Sequence, residues 1–141
     1  MTALTTDGIP YSYWDLAANP SLPQSYLTAH TTVIWFTGNS YPGPITPYES
    51  DLTAFLNGGG RLFMSGQDIL GQAAGTTAFV HDYLHINWDG SERQNDQFTV
   101  DVNGVPGSPV TNGIGAVALD HSVLGATLED EITPIAPATP A

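Results

Sequence analysis

Thr32-Val33-Ile34-Trp35-Phe36-Thr37-Gly38 and Arg61-Leu62-Phe63-Met64-Ser65-Gly66 are the stretches on which the reading of the fold turns. The first is a nearly continuous apolar run, rich in β-branched and aromatic side chains, that stops at a glycine. Such a run is expected of a strand covered on both faces, as in a parallel sheet. The second reads as another short strand, leaving the sheet at Gly66. Between them the sequence marks a helix. Thr46 can cap it, Pro47 suits the first helical position, and Glu49 completes a Thr-x-x-Glu box. Tyr48, Leu52, Phe55 and Leu56 recur at i, i+4, i+7 and i+8 and define one apolar face. Asn57-Gly58-Gly59-Gly60 ends it, glycine being the residue that turns left-handed without strain.

Working outward, Ile9-Pro10-Tyr11-Ser12-Tyr13-Trp14-Asp15-Leu16 alternates and reads as a strand. Ser21-Leu22-Pro23-Gln24 has the form of a capping box, opening a short helix through Ala29. Thr77 is placed to cap a further helix through Leu84. Beyond Ile86 the chain turns to short strands and turn dipeptides, Asp89-Gly90 and Asn103-Gly104, with Phe98-Thr99-Val100-Asp101-Val102 alternating between them. Alternation of strands and helices over the first two-thirds predicts an α/β fold with a mostly parallel sheet. Ala3-Leu4, which reads as a helix end running into a strand, suggests that a first strand is missing upstream. From Thr133 prolines stand at every third position, so residues 129–141 are expected to form an acidic and then Pro/Ala/Thr-rich linker beyond a domain spanning 1–128.

Composition narrows the function. The 141 residues carry 14 acidic side chains against two arginines, Arg61 and Arg93, for a net charge of -12. Phosphate neutralisation and anionic membrane binding both need a basic surface, so neither nucleic acid nor a membrane is expected as partner. There is no cysteine, which removes disulfides, thiolate metal sites and thiol catalysis. The absence of lysine and the abundance of Thr, Gly, Pro, Asn and Ser favour a secreted or cell-surface protein whose export signal lies elsewhere.

Candidate sites lie at the strand ends. In open α/β sheets ligands collect at the C-terminal edge, which makes Asn39, Ser65, Gln67 and Asp68 ligand-binding candidates. Ser65, Gln67, Asp68 and His121 are the catalytic candidates, and a serine nucleophile would need one of the four histidines, His30, His81, His85 or His121, as its base. Phe63 and Gln67 stand where Gly-x-Ser-x-Gly needs glycines, however, so the nucleophile-elbow motif fails. The alternative for Ser65 is a turn residue that caps the following segment. His81 and His85 stand at the i, i+4 spacing of a chelating helix pair, but Asp82 takes the place of the glutamate a zinc protease uses. Their arc opposes Phe79, Val80, Tyr83 and Leu84, which suits a solvated polar face equally well. Asp89 and Glu92 lie in a loop rich in oxygen donors, so calcium is the one cofactor to consider, although the spacing is not that of an EF-hand. Trp14, Trp35 and Trp88 could stack on sugars or simply pack.

Val33 to Asn39, the capped helix, and Gly59-Gly60-Arg61-Leu62-Phe63-Met64-Ser65-Gly66-Gln67-Asp68-Ile69 resemble a class I glutamine amidotransferase-like domain. The likeness is to the copies found in large secreted bacterial proteins, often beside peptidase modules. Phe79 to His85 and Gly107-Ser108-Pro109-Val110 fit the same pattern, and the resemblance spans about residues 7–125. It implies a flavodoxin-like, three-layer α/β sandwich and, in active members, a cysteine at the turn that Ser65 occupies here. With no cysteine, and with Asp120-His121-Ser122 in place of His-x-Glu, amidotransferase chemistry is excluded. The resulting expectation is a non-catalytic accessory or ligand-binding module, whose partners are neighbouring domains of the same polypeptide or a second copy of itself. A hydrolase using Ser65 and a histidine, or a carbohydrate- or calcium-binding module, are the alternatives.

Overall fold

The computed structural model describes residues 2–38, 43, 45–66, 69–72, 77–90, 92–94, 101–118, 128–130 and 132–138. The chain is an α/β protein with a small parallel sheet. Helix α1 (Thr2–Thr6) is followed by α2 (Gln24–Thr28), strand β1 (Thr32–Phe36), a 3-10 turn (Thr46–Tyr48), α3 (Glu49–Asn57) and β2 (Arg61–Ser65). Two short helices, α4 (Ile69–Gln72) and α5 (Ala78–Asp82), lead into β3 (Ile86–Asn87), β4 (Glu92–Gln94), β5 (Asp101–Val102), β6 (Val117–Ala118), β7 (Leu128–Asp130) and β8 (Thr133–Pro134). No described helix is long and apolar enough to cross a membrane.

β1 and β2 pair in parallel, with Trp35 opposite Met64 and Ile34 opposite Phe63. The α3 crossover between them makes the β-α-β unit that the sequence predicts. Its apolar face is the expected one: Leu52 and Phe55 are buried, with Tyr48 and Leu56 packed beside them. The capping differs. Thr46-Pro47-Tyr48 forms a 3-10 turn, α3 opens at Glu49, and no side chain caps it. Glu49 Oε1 instead accepts a hydrogen bond from Thr77 Oγ1 at 3.0 Å, and Thr77 Oγ1 in turn accepts from Val80 N at 3.2 Å. Thr77 is thus the cap expected for α5, and it ties the openings of two helices together. At α2 the capping position falls to Pro23 and no side-chain bond forms, so the Ser21 box is not used.

A core of Leu22, Leu27, Trp35, Ile45, Leu52, Phe55 and Phe79 fills the space between one face of β1–β2 and the helices. Leu70 and Val80 form a second small cluster, flanked by Leu84, Ile86 and Trp88. Cover on both faces of β1 is not what the structure has. Trp35 is 7% exposed, but its neighbours Ile34 and Phe36 are 49% and 50% exposed, and Phe63 across the sheet is 54%. The core lies on one side of the parallel pair, and the other side is apolar and open.

The expected strand at Ile9–Leu16 is also absent; this stretch is irregular and ends in a turn. α1 stops at Gly8, whose φ is 67°, with Ile9 N bonded to Leu4 O at 2.9 Å and Gly8 N to Thr5 O at 3.2 Å. That is the left-handed glycine exit of a helix. Side chains rather than a strand ladder hold the segment after Gly8: Thr5 Oγ1 lies 3.2 Å from Tyr11 Oη, and Trp14 Nε1 donates to Asn19 O at 3.0 Å.

The C-terminal stretch returns to the body. β7 pairs antiparallel with β4, β8 pairs with β3, and Ile135 N donates to His85 O at 2.7 Å. The expected boundary after residue 128 falls inside this paired segment.

Gly60 shows how tightly the α3–β2 junction is built. A Cβ there would lie 2.3 Å from the Phe55 ring, and Phe55 is 3% exposed. Gly60→Ala must displace a core aromatic, so it is expected to cost about 1–3 kcal/mol. Urea unfolding of the variant measures this; a change below about 0.5 kcal/mol would show that the ring has room to yield.

Candidate functional site

The free edge of β1 determines the site. Arg61 N donates to Thr31 O at 3.0 Å and Thr37 N donates to Ser65 O at 3.1 Å. In a parallel ladder alternate residues carry the bonds, so Thr31, Val33, Trp35 and Thr37 turn their main-chain groups toward β2. Those of Thr32, Ile34 and Phe36 point the other way, where no strand pairs with β1 among the described residues. A groove of 680 Å³ runs along that edge. Every residue from Thr32 to Gly38 lines it, and no residue of β2 does.

The opposite wall is the irregular segment from Ile9 to Ala17, with α2 closing one side. The Tyr13 and Phe36 rings stack at 6.4 Å, and Trp14 packs on Tyr26 at 4.9 Å. Among the described residues Asp15 is the one carboxylate of the lining, and its Oδ1 accepts from Ala17 N at 2.9 Å. No arginine lines the groove among the described residues. The site is therefore aromatic, apolar, weakly acidic and bordered by unpaired peptide groups.

Within it, three side chains converge. Ser12 Oγ lies 2.8 Å from His30 Nε2 and 2.7 Å from Tyr26 Oη. His30 Nδ1 lies 2.8 Å from the main-chain oxygen of Tyr26. Tyr26 lies in α2 and His30 two residues beyond its end, and their rings stand 5.0 Å from each other. Ser12 reaches them from the N-terminal segment across 14 and 18 positions of sequence.

Ser65 is where the sequence puts it, at the C-terminal end of β2, and is exposed. Among the described residues no imidazole is bonded to it: His30 is engaged with Ser12 and Tyr26, and His81 with Asp82. Asn39, Gln67, Asp68 and His121 lie outside the described residues.

The helical premise behind a His81–His85 chelate does not hold. α5 ends at Asp82, and His85 sits beyond it with φ 54°. Its backbone has already left the helix, so the i, i+4 alignment is lost. His81 Nδ1 lies 2.5 Å from Asp82 Oδ1, both groups being exposed. Asp89 is exposed, Glu92 lies in β4, and no group of three or more His, Asp or Glu side chains converges among the described residues. Of the tryptophans, Trp35 is in the core, Trp88 flanks the second cluster and Trp14 borders the groove.

Sequence reasoning names His30 only among four histidines available as a base for Ser65, and it passes over Ser12 and Tyr26. The four-residue spacing of Tyr26 and His30 is visible in the sequence, but nothing local links Ser12 to them. No family model matches the sequence, and comparison with the curated proteins and with the solved structures gives no match.

Proposed function

We propose that this chain is an interaction module that takes up an extended polypeptide segment along the free edge of β1. The observation that carries the reading is the unpaired main chain of Thr32, Ile34 and Phe36 bordering the groove. Strand addition to an exposed edge draws affinity from main-chain hydrogen bonds and selectivity from pockets for alternate side chains. Five residues of β1 span about 17 Å at the rise of a strand, room for a segment of similar length. The aromatic lining and net charge of -12 suit an occupant with alternating apolar side chains and basic flanks.

The donor of that segment, in this reading, is a neighbouring domain of a larger secreted bacterial polypeptide. The lysine-free composition and the amidotransferase-like sequence pattern without its cysteine support the assignment. They also support completion of β1 and β2 into a flavodoxin-like, three-layer sheet once a strand is added.

A synthetic peptide of alternating valine and threonine with a lysine at each end is the probe. Titration should slow amide exchange at Thr32, Ile34 and Phe36 and leave Val33 and Trp35, already bonded to β2, unchanged. Ile34→Pro removes one outward N–H without breaking the β1–β2 ladder, a position at which proline is tolerated on an edge strand. It is expected to lower affinity at least about tenfold, the loss of roughly one main-chain hydrogen bond plus the clash of its ring. Unaltered exchange at all three residues in saturating peptide would remove this reading.

A further inference from the structure

The Ser12–Tyr26–His30 cluster has a proton order that its chemistry fixes. A carbonyl oxygen only accepts, so His30 Nδ1, 2.8 Å from Tyr26 O, carries the proton and donates it. In the neutral ring Nε2 then holds the lone pair. Ser12 Oγ, 2.8 Å away, donates its proton to that lone pair. With that proton committed, Tyr26 Oη at 2.7 Å donates to Ser12 Oγ. A hydroxyl on the accepting nitrogen of an imidazole that a third group orients is the arrangement of an activated serine. The Ser12 side chain is exposed, and Ser12, Tyr26 and His30 all border the groove.

We infer that Ser12 is a nucleophile, with His30 as its general base, that accepts acyl groups from uncharged esters carrying aromatic or branched apolar acyl chains. Ser12 Oγ bonds to the ester carbonyl carbon while its proton passes to His30 Nε2. The tetrahedral intermediate collapses, the carbon–oxygen bond to the alcohol breaks, and the departing oxygen takes the proton from His30. Water then attacks acyl-Ser12 with His30 again as base, releasing a carboxylic acid and restoring the serine. An acyl chain fits against Tyr13, Trp14 and Phe36, while the acidic surface disfavours an anionic substrate. This inference stands on the side-chain geometry and is independent of strand binding.

The test uses the full chain with a fluorophosphonate probe and with para-nitrophenyl butyrate. Intact mass should rise by one phosphonyl group, and fragmentation should place it on Ser12. Ser12→Ala should abolish the adduct and the ester burst. His30→Gln, with an unchanged far-ultraviolet circular dichroism spectrum, should slow both by about 100-fold or more, the range of general-base assistance, and should flatten their rise with pH. Ser65→Ala should react as the unaltered chain does. No adduct, an adduct on Ser65 or a tyrosine, or His30→Gln reacting at the original rate would overturn the inference. Because Ile34→Pro leaves the cluster untouched, peptide binding and acylation are lost separately.

Discussion

Leu52→Ala is expected to remove about 2–5 kcal/mol of stability. For a domain whose total is about 5–15 kcal/mol, that is a substantial share. Leu52 is fully buried, at 0% exposure, on the face of α3 that meets the sheet. The side chains of its cluster come from separate elements: Leu27 from α2, Trp35 from β1, Phe55 from α3 and Phe79 from α5. Each is held by its own backbone, so the space vacated by three carbons cannot close by movement of a single element. The loss therefore includes a cavity term besides the transfer free energy of the removed atoms. Urea unfolding should show a lower midpoint with an unchanged slope, since the surface exposed on unfolding hardly alters. Leu56→Ala, at the half-buried edge of the same face, should cost clearly less. A Leu52→Ala loss below about 1 kcal/mol would mean that α3 does not pack on β1–β2 as described.

The parts of the fold legible in the sequence are those set by local periodicity and by glycine. The α3 face, the Thr77 cap of α5, and the two strands around the crossover all come from patterns within a dozen residues. The features that sequence misses are decided at long range. Ile9–Leu16 alternates like a strand, yet no strand pairs with it among the described residues, and Pro10 has no N–H to offer a ladder. Its place is fixed by Ser12, Tyr11 and Trp14 through side-chain bonds that no alternation encodes. The Ser21 and Thr46 boxes have the right letters, but Pro23 takes the capping position of α2 and Tyr48 that of α3, with Thr46 and Pro47 in the 3-10 turn before it. The candidate site divides in the same way. Ser65 is legible because strand ends are, whereas Ser12 and His30 meet only because the N-terminal segment folds over α2.

The sharpest test of the one-sided sheet compares two adjacent residues. Trp35→Ala is expected to cost about 3–5 kcal/mol, the range for a large buried aromatic, because its side chain is 7% exposed and sits among the core residues. Phe36→Ala, one position on, is expected to cost less than about 1.5 kcal/mol, little beyond the aromatic pair it makes with Tyr13. An apolar run covered on both faces demands comparable losses at the two positions, so equal values in urea unfolding would overturn the described sheet. The same pair bears on binding. Phe36→Ala keeps its outward N–H and C=O, and an added strand would still find them, whereas Ile34→Pro removes a donor and keeps an apolar side chain. If main-chain pairing is what the edge contributes, affinity for the valine–threonine peptide should survive Phe36→Ala better than Ile34→Pro. The reverse order would show that the groove binds through its aromatic wall and that the edge of β1 is incidental.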